Sequence, residues 1–355
     1  MNILLVEDDE SSVKSCQEYA NLDDRRIHLE VAKTIDDAKL CLTKDIDVAI
    51  VDIKLGTVSE AGNSVIDEIN ALSFRIPTVV HTGTPTNVTA TALKVFTRGE
   101  NTYKEIFDYL FDVYNTGITE ILGRKGILEQ TINNFYNSVF INSKDSWIKK
   151  CSEYTPDLVK KSLLRTMVYH IEDLLDGDNE KTFFEEFYLT CSDTDIHTGS
   201  IIKKIDNNKY YIIVSPSCDL VKRKEGKRNV DVITMCEIDA IEYHGYTLKN
   251  ENDKNLGNDK KKSISSLLSN SKNRYHWLPE VSEYRGGLLD FTKTYSVKES
   301  DLFDEYTFLN IRVSPPYMKN ILSRFSSYYA RQGQPDLNVD EYVKKLKIVS
   351  DGSTI

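Results

Sequence analysis

Three short apolar runs, each leading to a polar side chain, constrain this 355-residue chain more than any other feature. Ile3-Leu4-Leu5-Val6 precedes Asp8-Asp9, Val48-Ala49-Ile50-Val51 precedes Asp52, and Thr78-Val79-Val80 leads to Thr82. Runs this short and this rich in β-branched residues have the composition of strands buried on both faces of a parallel sheet. Side chains just beyond the carboxyl ends of such strands share one crevice, where open α/β sheets bind ligands. Three carboxylates gathered there repel one another unless a divalent cation neutralises them. Mg²⁺, which takes one or two carboxylates plus water and phosphate oxygens, is the natural choice. A hydroxyl on the neighbouring strand would then sense a phosphoryl group placed on the central carboxylate. The pattern predicts a phosphorylation switch.

Strand and helix patterns alternate through the first ~115 residues in the order of a doubly wound parallel sheet. Strands are predicted near 2–7, 27–32, 47–52, 77–81 and 93–97, with helices near 11–21, 35–43, 62–72 and 101–115. From about 117 to 180 the spacing turns helical, with Ile118, Ile121, Leu122, Ile127, Leu128, Ile132 and Phe135 three or four residues apart, then a second run from Leu158 to Leu175. This segment reads as a connector or a dimerisation hairpin, a surface for a protein partner or for self-association. Residues 181–355 form an α+β domain, for which a small barrel is one arrangement, with strands around 209–215, 230–235 and 288–291 and a closing helix from Pro316 to about Ala330. Residues 249–274, rich in Lys, Asn, Ser and Asp, read as a mobile loop or insertion.

Charge narrows the function classes. Residues 1–115 hold 11 Lys/Arg against 20 Asp/Glu, and the remaining 240 hold 34 against 35. A basic nucleic-acid-binding effector would carry a positive excess in the second part, so nucleic acid is not the expected partner. No apolar stretch of about 18 residues or secretory signal is present, which predicts a cytoplasmic protein without a membrane span. Six cysteines without a CxxC pair argue against structural zinc and fit reduced thiols.

The segments "ILLVEDD" (3–9), "DVAIVDIKLG" (47–56), Gly62 and "IPTVVHTGT" (76–84), in this order and spacing, resemble the receiver domain of bacterial two-component response regulators. The resemblance covers residues 1–116 and implies a five-stranded flavodoxin-like fold. It implies that Asp8 and Asp9 hold Mg²⁺ with the backbone carbonyl of Lys54, that Asp52 accepts a phosphoryl group from a histidine kinase or other phosphodonor, and that Thr82 donates its hydroxyl to the phosphate. An aspartate carboxylate is a competent nucleophile toward phosphorus, and the charge spread over the transferring group calls for a metal and a cation.

The chain departs from that family at the cation. Receivers carry a lysine, usually followed by proline, at the end of the fifth strand. Counting from Thr82 points to Lys104, whereas "LKVFTRGENTYKEIFDYL" places Arg98-Gly99 at the strand end and Lys104 in the next helix; Lys94 ranks behind both. Pattern favours Arg98, which keeps the charge but replaces a compact ammonium with a planar fork. The same assignment leaves "TGTPTNVTATA" (82–92) between strands four and five, a poor helix former, so the fourth helix is expected to be shrunken or missing. Two outcomes are open: a working switch with a rebuilt readout surface, or a degenerate receiver that scaffolds a C-terminal enzyme such as a nuclease or hydrolase.

In the second part, "IIVSPSCDLVKR" (212–223) places Cys218 and Asp219 at a strand end. Cys218 is either a nucleophile served by His197, His244 or His276, or a structural cysteine with Asp219 capping the segment after it. The stretch from Gly199 to Asp219 resembles, over a short length, the opening hairpin of SH3-like barrels of the toxin-endoribonuclease type, without an accompanying catalytic set. "RFSSYYARQGQPD" (324–336) combines Arg324 and Arg331 with aromatics, a composition for nucleobase stacking or for a core-facing helix, and the helix is preferred. His81, beside Thr82, is expected to pack or face solvent.

Overall fold

The computed structural model describes residues 1–175, 182–192, 195–223, 228–246, 257–331 and 337–346. The chain divides into two compact units, Met1–Asp178 and Asn179–Ile355. In the first, strands β1 (Asn2–Val6), β2 (His28–Ala32), β3 (Val48–Val51), β4 (Thr78–Thr82) and β5 (Lys94–Thr97) form one parallel sheet. Their order, β2-β1-β3-β4-β5, is the flavodoxin-like doubly wound order, whose topological switch point lies between β1 and β3.

Helices α1 (Glu10–Leu22), α2 (Ile35–Cys41), α3 (Ala61–Asn70) and α4 (Tyr103–Asn115) cover the two faces. Alternation along β1 explains the arrangement. Ile3 and Leu5 share a core with Cys16 of α1 and Phe107 and Leu110 of α4, while Leu4 and Val6 share the other with Ala38 of α2 and Val65 and Ile66 of α3. A strand buried on both faces has no polar side, hence the unbroken apolar runs. Helix starts are set locally: the Asp9 carboxylate accepts the Ser12 amide at 2.9 Å, Thr34 caps α2, and Thr102 with Glu105 forms a reciprocal capping box on α4.

The connection from β4 to β5 holds a single 3₁₀ turn, Pro85–Asn87, followed by extended chain. The helix expected to be shrunken or missing is reduced to that turn. One buried side chain fastens the replacement. The Asn63 carboxamide donates to the Asn87 carbonyl at 2.9 Å and accepts the Thr89 and Ala90 amides at 3.0 and 3.2 Å. Asn70 adds a bond to the Thr91 carbonyl at 3.0 Å, and Val88, Ala90 and Ala92 pack on the core that α3 covers. Backbone groups that a helix would pair internally are paired here by side chains.

Beyond α4 the chain is helical, as its spacing predicts: α5 (Ile118–Leu122), α6 (Ile127–Asn134), a π-helical turn (Phe135–Phe140), α7 (Ile141–Glu153) and α8 (Pro156–Glu172). The Arg75 amide bonds the Leu122 carbonyl at 2.9 Å, and the Arg124 guanidinium lies 4.6 Å from the Phe74 ring centre. These contacts tie the start of the segment to the sheet's own loops. Further along, Ile132, Tyr136, Ile148, Leu164 and Val168 are exposed.

The second unit is a curled, half-barrel antiparallel sheet of seven strands: β6 (Tyr188–Thr190), β7 (Ser200–Lys204), β8 (Tyr210–Ile213), β9 (Val232–Asp239), β10 (Tyr275–Leu278), β11 (Gly287–Lys298) and β12 (Tyr306–Val313), in the order β10-β11-β9-β8-β7-β12-β6. Five helices accompany it among the described residues: α9 (Ser217–Leu220), α10 (Asn258–Leu268), α11 (Glu299–Glu305), α12 (Pro315–Ala330) and α13 (Val339–Val343). Met318 and Ile321 of α12 pack with Phe291, Leu289 and Ile212 of the sheet. The segment expected to be a loop at 249–274 contains α10, whose serines and lysines form an exposed helix; residues 249–256 lie outside the described residues. Arg324 bonds the carbonyls of Lys272 and Tyr275, and Tyr329 bonds the Phe291 carbonyl, so this helix faces the sheet; residues 332–336 lie outside the described residues. No helix among the described residues is long and apolar enough to cross a membrane.

Each unit buries an imidazole in neutral form. His81 packs edge-on against Tyr103 at 4.9 Å, and burial, with Arg98 nearby, holds its pKa down at about 4. His276 is held at about 3, again mainly by burial. The unfolded chain takes up a proton at each near pH 6.5 whereas the folded chain resists, so stability is present above that pH and is lost as pH falls toward 4. At full shift the effect is roughly 3 kcal/mol for His81 and roughly 5 kcal/mol for His276. In urea melts, His81→Phe should flatten the loss between pH 6.5 and 4 for the first unit, and His276→Phe for the second. An unchanged pH profile in either variant would contradict the neutral assignment.

Candidate functional site

Strand register assembles the site. Val6 pairs with Val51, so Glu7 and Asp52, the next residues, emerge side by side at the switch point. Val51 pairs with Val80 and Thr82 with Thr97, which brings Thr82 and Arg98 to the same end of the sheet. The Asp52 amide bonds the Val6 carbonyl and the Arg98 amide the Thr82 carbonyl, each at 2.9 Å. Asp8 reaches across to the loop after β3, where its carboxylate accepts the Gly56 amide at 2.9 Å.

The result is an acidic pocket closed by one cation. A carboxylate oxygen from each of Glu7, Asp8 and Asp52 lies within 4.8 Å of the other two. The Arg98 guanidinium bonds the Glu7 carboxylate and stands 3.0 Å from Asp52 Oδ2. Glu7 is 1 % exposed and Asp52 6 %, so this charge density is held almost out of water. Burial, the dominant influence, pushes the Glu7 carboxyl up to about 7, against the opposing pull of the Asp9 amide and Arg98. Asp52 Oδ1 is buried without a hydrogen-bond partner. An orphaned carboxylate oxygen beside two further acids fits a hard divalent cation, which prefers oxygen ligands. Glu7, Asp8 and Asp52 are the residues that could hold it.

Thr82 is buried at the end of β4, and its hydroxyl accepts the Thr84 amide at 3.3 Å. That bond couples the hydroxyl to the first residues of the extended connection. Gly62, at the start of α3, donates its amide to the Ile53 carbonyl and lies so close to the Asp52 carbonyl that a Cβ would come within 2.0 Å. Only glycine permits this approach, which fixes the backbone that carries Asp52.

The structure brings together Asp8, Asp52, Thr82 and Arg98 of the residues expected at the site. Asp9, expected to hold metal, points elsewhere: its carboxylate caps α1 through Ser11 and Ser12, and those bonds hold its pKa low. Glu7 takes the place assigned to Asp9. Aligning the apolar runs flush at Val6 and Val51 would have found it. Lys104 pairs with Asp108 on the exposed side of α4, and Lys94 sits over the rings of Phe96 and Tyr109, so neither enters the pocket. Lys54 lies in the loop between Asp52 and Gly56, with its side chain exposed. In the second unit Cys218 is exposed, and its sulfur stands 3.8 Å from the Asp219 carboxylate. Asp219 does not cap α9; it lies inside that helix, and its carbonyl accepts the Asn229 amide. His276 is buried and His244 packs edge-on against Tyr275.

No family model and no curated protein matches the chain. Solved structures similar to it include a CheY-like response regulator receiver domain from Methylobacillus flagellatus, 14 % identical, covering 32 % of this chain and 98 % of its own, with TM-score 0.28. The non-phosphorylated HemR receiver domain from Leptospira biflexa is 24 % identical, over 32 % of this chain and 92 % of its own, with TM-score 0.28. The Mn²⁺-bound form of response regulator Rcp1 is 20 % identical, over 33 % and 94 %, with TM-score 0.27. The first unit's strand order, with helices on both faces, is the flavodoxin-like doubly wound fold.

Arg98 and a divalent cation would draw on the same carboxylates. Removing one partner of a buried ion pair leaves uncompensated charge and costs roughly 3 kcal/mol. Arg98→Ala should therefore unfold at lower urea than the wild type in chelator and recover much of the loss in millimolar Mg²⁺. An equal Mg²⁺ response in both proteins would show that the carboxylates are not the shared ligands.

Proposed function

We propose that the first unit is the phosphoacceptor of a two-component relay. Asp52 takes a phosphoryl group from a histidine kinase or a small phosphodonor in the presence of Mg²⁺. The observation that carries this reading is the state of Asp52: buried at the carboxyl end of β3, one oxygen held by Arg98, the other unpaired. Such a carboxylate keeps one oxygen free for a new partner, and the groups around it suit the reaction.

Glu7, Asp8 and Asp52 would hold the metal, which supplies positive charge to the transferring phosphoryl oxygens. Asp52 provides the nucleophilic oxygen and becomes an acyl phosphate as the donor's bond to phosphorus breaks, P–N in a phosphohistidine or P–O in acetyl phosphate, releasing the histidine or acetate. Arg98 is already within reach of that oxygen, and its forked guanidinium can release the carboxylates and take phosphate oxygens with the same donors. Thr82 can turn its hydroxyl from Thr84 toward the new acceptor oxygens. That turn frees the Thr84 amide and so disturbs the connection strapped down by Asn63. The second unit, joined in the same chain, is the output, acting as a protein-interaction module.

The reading is tested by incubating the full chain with acetyl phosphate and Mg²⁺ and measuring intact mass. The wild type should gain one phosphoryl group that hydroxylamine removes. Asp52→Asn should gain none. A wild type that stays unmodified, or an Asp52→Asn variant modified to the same extent, overturns it.

A further inference from the structure

The second unit contains a cavity of about 570 Å³ that the receiver chemistry does not use. Its walls are the loop at Asp195–Thr198, the turn formed by α9 and Val221-Lys222, the end of β12 and the first turns of α12. We propose that it binds a phosphate monoester with a body of nucleoside size.

The cavity is built rather than incidental. Arg228, its side chain fully buried, bonds the Asp195 carboxylate, the Leu220 carbonyl and, at 2.6 Å, the Glu299 carboxylate. One guanidinium thus pins the Asp195 loop to the α9 turn. Thr198 completes the wall, donating to the Ser215 carbonyl at 2.6 Å and lying 3.1 Å from the Ser217 hydroxyl. Gly199, at φ +90°, lets the loop pass against Met318 and the Val313 carbonyl. A site held open this way requires little ordering on binding.

The charge of the lining selects the ligand. Among the described residues, Lys222, Arg312 and Lys319 face the cavity against a single acid, Asp195, which Arg228 and Lys222 already neutralise. Neither the Arg312 guanidinium nor the Lys319 ammonium has a hydrogen-bond or ion-pair partner among the described residues. Two unpaired cations and the Ser217 hydroxyl, whose proton can turn from Thr198 toward a ligand, offer more than a single carboxylate can use. A phosphate monoester, with close to two negative charges and three strong acceptor oxygens, matches them. In a chain of net charge −10, such a patch is a local exception.

The other half of the lining is aliphatic, including Ile196, Val221, Met318 and Leu322. Inorganic phosphate would leave that surface wet. A nucleoside-sized body covers it, and the volume lies in the range of small-molecule sites.

The test is titration calorimetry on the full chain with adenosine 5′-monophosphate, adenosine and inorganic phosphate. The monophosphate should bind saturably at one site, with adenosine and phosphate each at least about tenfold weaker, a difference of about 1.4 kcal/mol. Arg312→Ala and Lys319→Ala, which break no bond among the described residues, should each weaken the monophosphate about five- to tenfold without lowering the melting temperature of the unliganded protein. Asp52→Asn should bind as the wild type does. Absence of saturable binding, equal binding of adenosine or of inorganic phosphate, or unchanged affinity in both cation variants would overturn the proposal.

Discussion

The Arg98 guanidinium between Glu7 and Asp52 is the contact on which the first unit's crevice depends. Parallel strands bring the residues after their carboxyl ends together whether or not their charges agree. Here that rule places three carboxylates around one point, two of them nearly dry. Each buried charge costs several kcal/mol unless paired with good geometry. Here one nitrogen of the Arg98 guanidinium, Nη2, reaches both the Glu7 and the Asp52 carboxylate. The same cation that would meet a phosphate thus clamps the carboxylates when none is present.

The second constraint is the shortened connection. With a helix after β4, backbone groups there would be satisfied internally. Without one, Asn63 accepts two amides and donates to a carbonyl, and the segment lies extended over α3. Val95 of the edge strand β5 and Leu93 just before it are exposed. The Thr82 hydroxyl touches this strap directly, since Thr84 is bonded to it, and Thr89 and Ala90 further along hang on Asn63. The path is a short run of hydrogen bonds between two ends that are both anchored.

Much of the first unit was legible because its strands are buried on both faces, so each reads as an apolar run and its end is marked by the first polar residue. All five strands and four helices lie within two residues or so of the positions their pattern predicts. Arg98 was legible for the same reason, as the residue after Lys94–Thr97. The exchange of Asp9 for Glu7 was missed because an acidic run does not say which member sits in the crevice and which caps the helix; strand register decides that. Asn63 was missed because its role depends on a segment 24 residues away. The second unit was harder to read. Its strands pair across long separations, and the bulge in β11 between Leu289 and Thr294 breaks the alternation that would mark one long strand.

The coupling of Asp52 to the strap is tested most directly by hydrogen exchange on the full chain with and without Mg²⁺ and beryllofluoride, a phosphoryl mimic. Exchange at the amides of Thr84, Thr89, Ala90 and Arg98 should change on addition of the mimic in the wild type and stay unchanged in Asp52→Asn. Identical exchange at these four amides in the wild type, despite bound mimic, would contradict the account.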